Sequence, residues 1–298
     1  MKEECIRVAG ERGELAVIIV SHNCRDCLRA CLDSLRPEVT SRLAEVILVD
    51  NNSSDGSQTL VRTSFPWVRL IENKENVGYA RANNQGVRLT LADYILFLNP
   101  DTVIPPGSIS ALLEELKKRP DTAAIGPRLV RPTGSYQVSF GKKISFLAQM
   151  LQKLFLNPYF RMRLKFSSRP REVGWLSGAC LLVRRQPLEE AGLFDENFFL
   201  YFEDIDLCYR LRRRGYKLIF FPRLDVLHRG GASTFALGFG NRREYRRSQI
   251  YFYQKHNSPL SLFLLRAYLG LLFALENLFG PKGKKEEAAL GRKHGQRF

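Results

Sequence analysis

Four short apolar runs recur in the first hundred residues: LAVIIV at 15–20, VILV at 46–49, VRLI at 68–71 and YILFL at 94–98. The first two and the last are nearly continuous β-branched or aliphatic stretches, the mark of strands buried on both faces of a parallel sheet. Between them lie segments with helical spacing, roughly 25–35 and 78–90, and a short helix after the turn-rich NNSSDG. Strands alternating with helices at this interval imply βαβ units and an α/β, Rossmann-like, doubly wound, mostly parallel sheet with helices on both faces.

Polar residues collect just after these strands. Ser21 and Asn23 follow the first, Asp50 and Asn51 the second, and Asn99 and Asp101 the fourth. Ligands of doubly wound sheets bind at the carboxyl ends of strands. Any one such cluster could be an ordinary turn, but three at successive strand ends point to a binding site. Asp101, flanked by an Asn, can hold a hard divalent cation through oxygen ligands. Mg²⁺ or Mn²⁺ there would neutralise charge on a diphosphate, with His228 a second candidate ligand.

The stretch FFLYFEDIDLCYRLRRRGY, 198–216, carries a second kind of signal. An aromatic, strand-like run at 198–202 gives way to a helix marked by Ile205, Leu207, Cys208 and Leu211, with Gly215 as its stop. Glu203, Asp204 and Asp206 fall in its first turn, where the helix dipole holds a carboxylate ionised. A carboxylate so placed beside aromatics is a candidate general base.

The net charge is +16, from 46 Lys and Arg against 30 Asp and Glu. Such an excess calls for anionic partners. No long basic block and no zinc-finger spacing is present, so nucleic acid is not expected. The six cysteines include Cys24, Cys27 and Cys31 on one helical face. With no second pair and no nearby histidine set, they are expected to be packing thiols of a reducing compartment. The first residues lack an apolar run, so no signal peptide is expected. A basic, apolar-rich segment at 139–168 reads as a surface helix or a mobile loop. SLFLLRAYLGLLFALENLFG, 261–280, is interrupted by Arg266 and Glu276. It is expected to lie in a membrane interface rather than span it, or else to pack on the domain or on a second subunit as a homodimer.

The order VIIVSHN, VDNNSSDGS, NVGYARANNQG, LFLNPDT, GWLSGACLLVRR, FDENFFLYFEDIDLCYRLRRRGY and HRGGAST resembles family-2 inverting glycosyltransferases of the GT-A fold, over roughly residues 15–234. It is most similar to the bacterial rhamnosyltransferase branch, which acts on cell-wall or O-antigen lipid intermediates. The resemblance implies that Ser21, Asn23, Asp50 and Asn51 hold the nucleoside of a dTDP- or UDP-sugar, and that Asn76, Gly78 and Asn83 close over it. The family's Asp-x-Asp metal motif is Asn99-Pro100-Asp101 here, leaving Asp101 the sole charged ligand of that motif. Asp204 matches the family's base and Glu203 its acceptor-positioning partner, while Asp206 is structural. Trp175 and Ser177, Gly178 and Ala179, on a strand before the base, line the acceptor side.

The implied organisation is an extension at 1–14, a nucleotide-sugar half at 15–125, an acceptor and catalytic half at 126–257, an apolar helix at 258–280 and a basic tail at 281–298. The implied setting is cytoplasmic and peripheral, on the inner face of the plasma membrane, with the basic body, the 144–166 segment and the apolar helix docking to anionic lipid. The acceptor is a hydroxyl of a lipid-linked sugar or glycan. Two competing readings are a nucleotidyltransferase, for which VSHNCRD lacks a glycine-rich phosphate loop, and a non-catalytic sugar- or membrane-binding module.

Overall fold

The computed structural model describes residues 13–40, 44–142, 169–230 and 240–279. The expected 144–166 segment, the 281–298 tail and most of the 1–14 extension lie outside the described residues.

The four apolar runs form β1 (Leu15–Ser21), β2 (Ala44–Asp50), β3 (Val68–Glu72) and β4 (Tyr94–Leu98), all parallel, in the spatial order β3-β2-β1-β4. The sheet continues through β11 (Cys180–Arg184), β6 (Thr122–Val130) and β12 (Lys217–His228). Here β11 runs antiparallel to both neighbours, and β12 returns parallel to β6. Short strands complete the edges: β5 (Thr102–Val103) and β9 (Arg171–Glu172) pair with β12, and β7 (Tyr136–Gln137) with β6. A separate two-stranded antiparallel sheet pairs β8 (Phe140–Gly141) with β10 (Trp175–Leu176). The expected halves at 15–125 and 126–257 share this one sheet, residue 125 lying inside β6.

Side chains of successive strand residues point to opposite faces, and both faces are covered. Leu15, Val17 and Ile19 pack under α1 (Arg25–Thr40), α2 (Ser57–Ser64) and α4 (Ser108–Lys117). Ala16 and Ile18 pack under α3 (Tyr79–Arg88), α5 (Arg185–Glu190) and α6 (Glu203–Arg213). Each fully buried Leu or Ile of these strands contributes about 1.5–3 kcal/mol. On α3, Gly86 lets the helix sit close to the sheet, since a Cβ there would lie 2.6 Å from Ile18 Cγ2. The five cysteines of the described residues are free thiols, four of them buried.

Three local expectations are corrected. The run 198–202 is a turn rather than a strand, with Tyr201 and Phe202 at φ 69° and 68°. Non-glycine residues adopt that region only when surroundings impose it. The cause is burial: Phe198 and Phe202 enter an aromatic cluster with Phe252, Tyr253 and Leu265 of α7 (Gly240–His256) and α8 (Pro259–Phe279). Ser177, Gly178 and Ala179 form the turn from β10 to β11 rather than a strand, and the Gly178 N–H goes to a side chain, Asp204. The helix expected at 78–90 is shorter, with Gly78 outside it at φ 85°. Among the described residues no helix is long and apolar enough to cross a membrane.

Candidate active site

The carboxyl ends of β1, β2 and β4 and the start of α6 face one region. At the end of β2, Asp50 is fully buried. Its Oδ1 accepts hydrogen bonds from Ser53 N–H (2.9 Å) and Gln58 Nε2 (2.7 Å), while Oδ2 has no partner. A buried carboxylate oxygen left unpaired is costly unless a ligand completes it. Asn51 reaches the neighbouring loop. Its Oδ1 accepts from Asn73 Nδ2 (2.9 Å) and Val77 N–H (3.4 Å), and its Nδ2 donates to the Gly78 carbonyl (3.2 Å). The side chain therefore pins the 73–78 loop, leaving Asp50 Oδ2 as the free acceptor.

The first loop is latched in the same manner. Asn23, at φ 49°, donates from its N–H to Ser53 Oγ (3.0 Å) and accepts Ser54 N–H at Oδ1 (2.8 Å). Ser21 is buried beside Cys24. Asn76 caps Gly78 N–H (3.0 Å), and Asn83 donates to the Tyr79 carbonyl (2.9 Å) one turn back on α3. Gly78 must be a glycine: a Cβ there would lie 2.7 Å from the Phe199 carbonyl, which already accepts Tyr79 N–H at 2.7 Å. The loop over the strand ends is thus clamped to the turn that launches α6.

After β4, Asp101 and His228 come together with Asp101 Oδ1 3.2 Å from His228 Nε2, both side chains nearly buried. Gln137 Oε1 lies 2.8 Å from His228 Nδ1 and orients the ring, with Nε2 turned to Asp101. Asn99 Nδ2 also approaches Nε2 (3.3 Å). An imidazole nitrogen and a carboxylate facing each other are a donor pair that fits Mn²⁺ or Mg²⁺, with phosphate oxygens supplying further ligands. Among the described residues there is no group of three or more His, Cys, Asp and Glu able to hold a metal without such help.

At the start of α6, Asp204 Oδ2 accepts Gly178 N–H at 2.7 Å and Oδ1 accepts Ile205 N–H at 2.8 Å. Burial raises the pKa of this carboxyl, and those hydrogen bonds oppose the rise. Glu203 is buried with Oε2 unpartnered. Burial first, then the Asp204 charge, pushes its pKa well above the usual range. The Gly178 and Ile205 donors temper the rise at Asp204, and Glu203 is raised further. Each Asp204 oxygen keeps a lone pair for an incoming hydroxyl.

Sequence reasoning missed Tyr79. Its buried hydroxyl lies 3.0 Å from Asn99 Oδ1 and 3.3 Å from the Gly178 carbonyl, and burial raises its pKa. It therefore joins the Asp101 loop to the turn that holds Asp204. The only signal in the sequence was a tyrosine directly after Gly78 at a helix start. Gln137, which lies 2.8 Å from His228 Nδ1, gave no signal. Asp206 is structural as expected: its buried carboxylate accepts from His256 Nε2 (2.6 Å), Arg210 Nε (2.7 Å) and Lys255 Nζ (2.8 Å).

The mixed, mostly parallel sheet covered on both faces is the architecture that glycosyltransferases of the GT-A fold share. The comparisons agree. The family model for glycosyl transferase family 2 matches residues 16–192. N-acetylglucosaminyl-diphospho-decaprenol L-rhamnosyltransferase of Mycobacterium tuberculosis H37Rv is 35% identical over 240 residues, covering 74% of this chain and 77% of that protein. The Escherichia coli K12 rhamnosyltransferase WbbL is 23% identical over 231 residues, covering 71% and 82%. A Pyrobaculum calidifontis mannosyltransferase solved with GDP-Man and Mn²⁺ shares the fold at TM-score 0.58 and 18% identity, covering 95% of this chain and 81% of that one. GalNAc-T7, solved with UDP, GalNAc and Mn²⁺, does so at TM-score 0.55 and 17% identity, covering 74% and 44%. The chain belongs to glycosyl transferase family 2, and within it is similar to rhamnosyltransferases.

Proposed function

We propose that the protein is an inverting transferase of cell-envelope glycan synthesis. It moves a sugar, rhamnose foremost, from a dTDP- or UDP-sugar to a hydroxyl of a lipid-linked acceptor. One observation carries this reading. Asp204 and the Asp101–His228 pair belong to a single hydrogen-bonded unit, linked through Gly178, Tyr79 and Asn99. The relatives' names, one of them a rhamnosyltransferase acting on a diphospho-decaprenol-linked sugar, support donor and acceptor class.

The chemistry follows from the residues. The donor base takes the free Asp50 Oδ2 as acceptor for its ring N–H, below the loop held by Asn51, Asn76 and Gly78. Asp101 and His228 are the residues that would hold Mn²⁺ or Mg²⁺, and the bound ion supplies charge neutralisation at the donor diphosphate. Asp204 removes the acceptor hydroxyl's proton as that oxygen attacks the anomeric carbon. The nucleoside diphosphate departs from the opposite face, so the configuration inverts in one displacement without a covalent sugar–enzyme intermediate. Glu203, protonated, can donate a hydrogen bond to the acceptor sugar.

The protein works at an anionic membrane face on the cytoplasmic side. Support comes from α8, where Leu260 and Phe263 are each 66% exposed and Leu271 59%, and from Arg242, Arg243, Arg246 and Arg247 on α7. Each cation near an anionic surface adds about 1 kcal/mol.

The test is donor binding across dTDP-, UDP- and GDP-sugars with and without Mn²⁺, using wild type and Asp101→Asn. Metal-dependent binding of one pyrimidine donor, weakened in the variant, is expected. If no nucleotide sugar binds under any condition, the transferase reading fails.

A further inference from the structure

A cavity of about 290 Å³ lies beside the base helix, away from the strand ends. One wall is Gly174 and Trp175 at the start of β10; another is the face of α6 carrying Ile205, Tyr209, Arg212 and Arg213. Buried Phe252 of α7 closes the floor, and Lys142 stands at the edge. The spacing i, i+4, i+7, i+8 places these α6 residues on one side of the helix. No carboxylate lines the cavity, and Lys142, Arg212 and Arg213 form no ion pair among the described residues. Three unneutralised cations on an aromatic floor make an anion site. Paired arginines favour phosphate, whose oxygens match the guanidinium fork.

Two lining residues are close in sequence to the Asp204–Gly178 contact. Ile205 follows the base Asp204, and Trp175 stands three residues before Gly178, whose N–H holds that base. From Ile205 to Arg213 is eight residues, about 12 Å along the axis. Helical side chains lean back toward the N-terminus, which shortens the gap between base and guanidinium groups. One sugar ring followed by a diphosphate spans such a distance.

We propose that this cavity holds the diphosphate of a lipid-linked sugar acceptor: Arg212 and Arg213, with Lys142, grip the phosphates, and Trp175 and Tyr209 flank the sugar whose hydroxyl meets Asp204. The assignment rests on the transferase reading above and adds the residues that select a diphosphate-bearing acceptor.

The test compares wild type with the double variant Arg212→Gln/Arg213→Gln, both exposed positions. Two acceptors are used: N-acetylglucosamine on a short-chain prenyl diphosphate, and the same sugar on an uncharged alkyl chain. The ratio of their kcat/KM values, diphosphate over uncharged, is expected to fall at least tenfold in the double variant. An unchanged ratio overturns the proposal. Calorimetric binding of the prenyl-diphosphate sugar, with UDP saturating the donor site, is the second readout and is expected to be lost in the variant. If wild type transfers to neither acceptor, the transferase reading fails and calorimetry alone decides. Variant-sensitive binding then keeps the cavity as a diphosphate site, whereas equal binding by both proteins, or none by wild type, removes it. Binding of inorganic diphosphate without the lipid-linked form overturns the acceptor assignment.

Discussion

Replacing Asp206 by Asn tests how α6 is held. The carboxylate is fully buried and faces two cationic groups, Arg210 with its side chain 16% exposed and Lys255 at 28%, and the His256 ring at 4%. Breaking a buried ion pair from one side costs about 3–5 kcal/mol when the remaining charge is stranded. Here the stranding is incomplete. Lys255 keeps Asp195 at 2.6 Å, and Arg210 keeps the carbonyls of Ala191 and Leu193. The expected loss is therefore about 2–4 kcal/mol, a fall in melting temperature of roughly 5–12 °C for a domain of this size. The pH dependence carries the sharper prediction. Burial raises the Asp206 pKa, but the His256 hydrogen bond, the Arg210 charge and Lys255 outweigh it, and the net shift is below the ordinary 3.8. A depressed folded pKa means that the unfolded chain binds more protons, so the stabilisation is complete above pH 3.8 and fades as pH falls below it. The gap between wild type and Asp206→Asn should narrow in acid. Thermal unfolding from pH 3 to 8 measures it. A loss below about 2 °C at neutral pH, or a gap that widens in acid, refutes the reasoning.

Tyr79→Phe removes the hydroxyl between Asn99 and Gly178; with about 1–2 kcal/mol at stake, kcat should drop about tenfold with little change in donor KM, read by steady-state kinetics. A changed donor KM with kcat intact would place Tyr79 in donor binding instead. Glu203→Gln should become relatively more stable than wild type as pH rises. The folded Glu203 pKa is raised by burial and by Asp204, so the native state holds its proton longer than the unfolded chain, and stability falls from pH 4.5 up to the raised value. The difference in melting temperature between pH 5 and 9 checks this, and a difference independent of pH would contradict it.

Much of the donor half was legible because its strands are buried on both faces, and such runs read as parallel strands wherever they occur. The antiparallel β11 was not legible: CLLVR reads the same in either direction, and only its neighbours set its sense. The turn at 198–202 resembled a strand because its aromatics are strand formers. Their conformation is imposed by α7 and α8, some fifty residues away in sequence. The carboxylates were legible as residues, since acids in a first helical turn stand out. Their raised pKa values were not, because these come from burial and from the pair's mutual charge, tempered at Asp204 by the Gly178 N–H. Asn51 shows the limit from the other side. Its place beside Asp50 pointed to a nucleoside contact, whereas its amide is spent on Asn73, Val77 and Gly78.

The central claim is that Asp204 is the one general base. Asp204→Asn keeps the shape and at least one backbone hydrogen bond while removing the proton acceptor. Transfer should fall by about 10²–10⁴, with the donor dissociation constant within twofold of wild type. Transfer retained within tenfold, or donor binding lost along with it, would contradict the assignment.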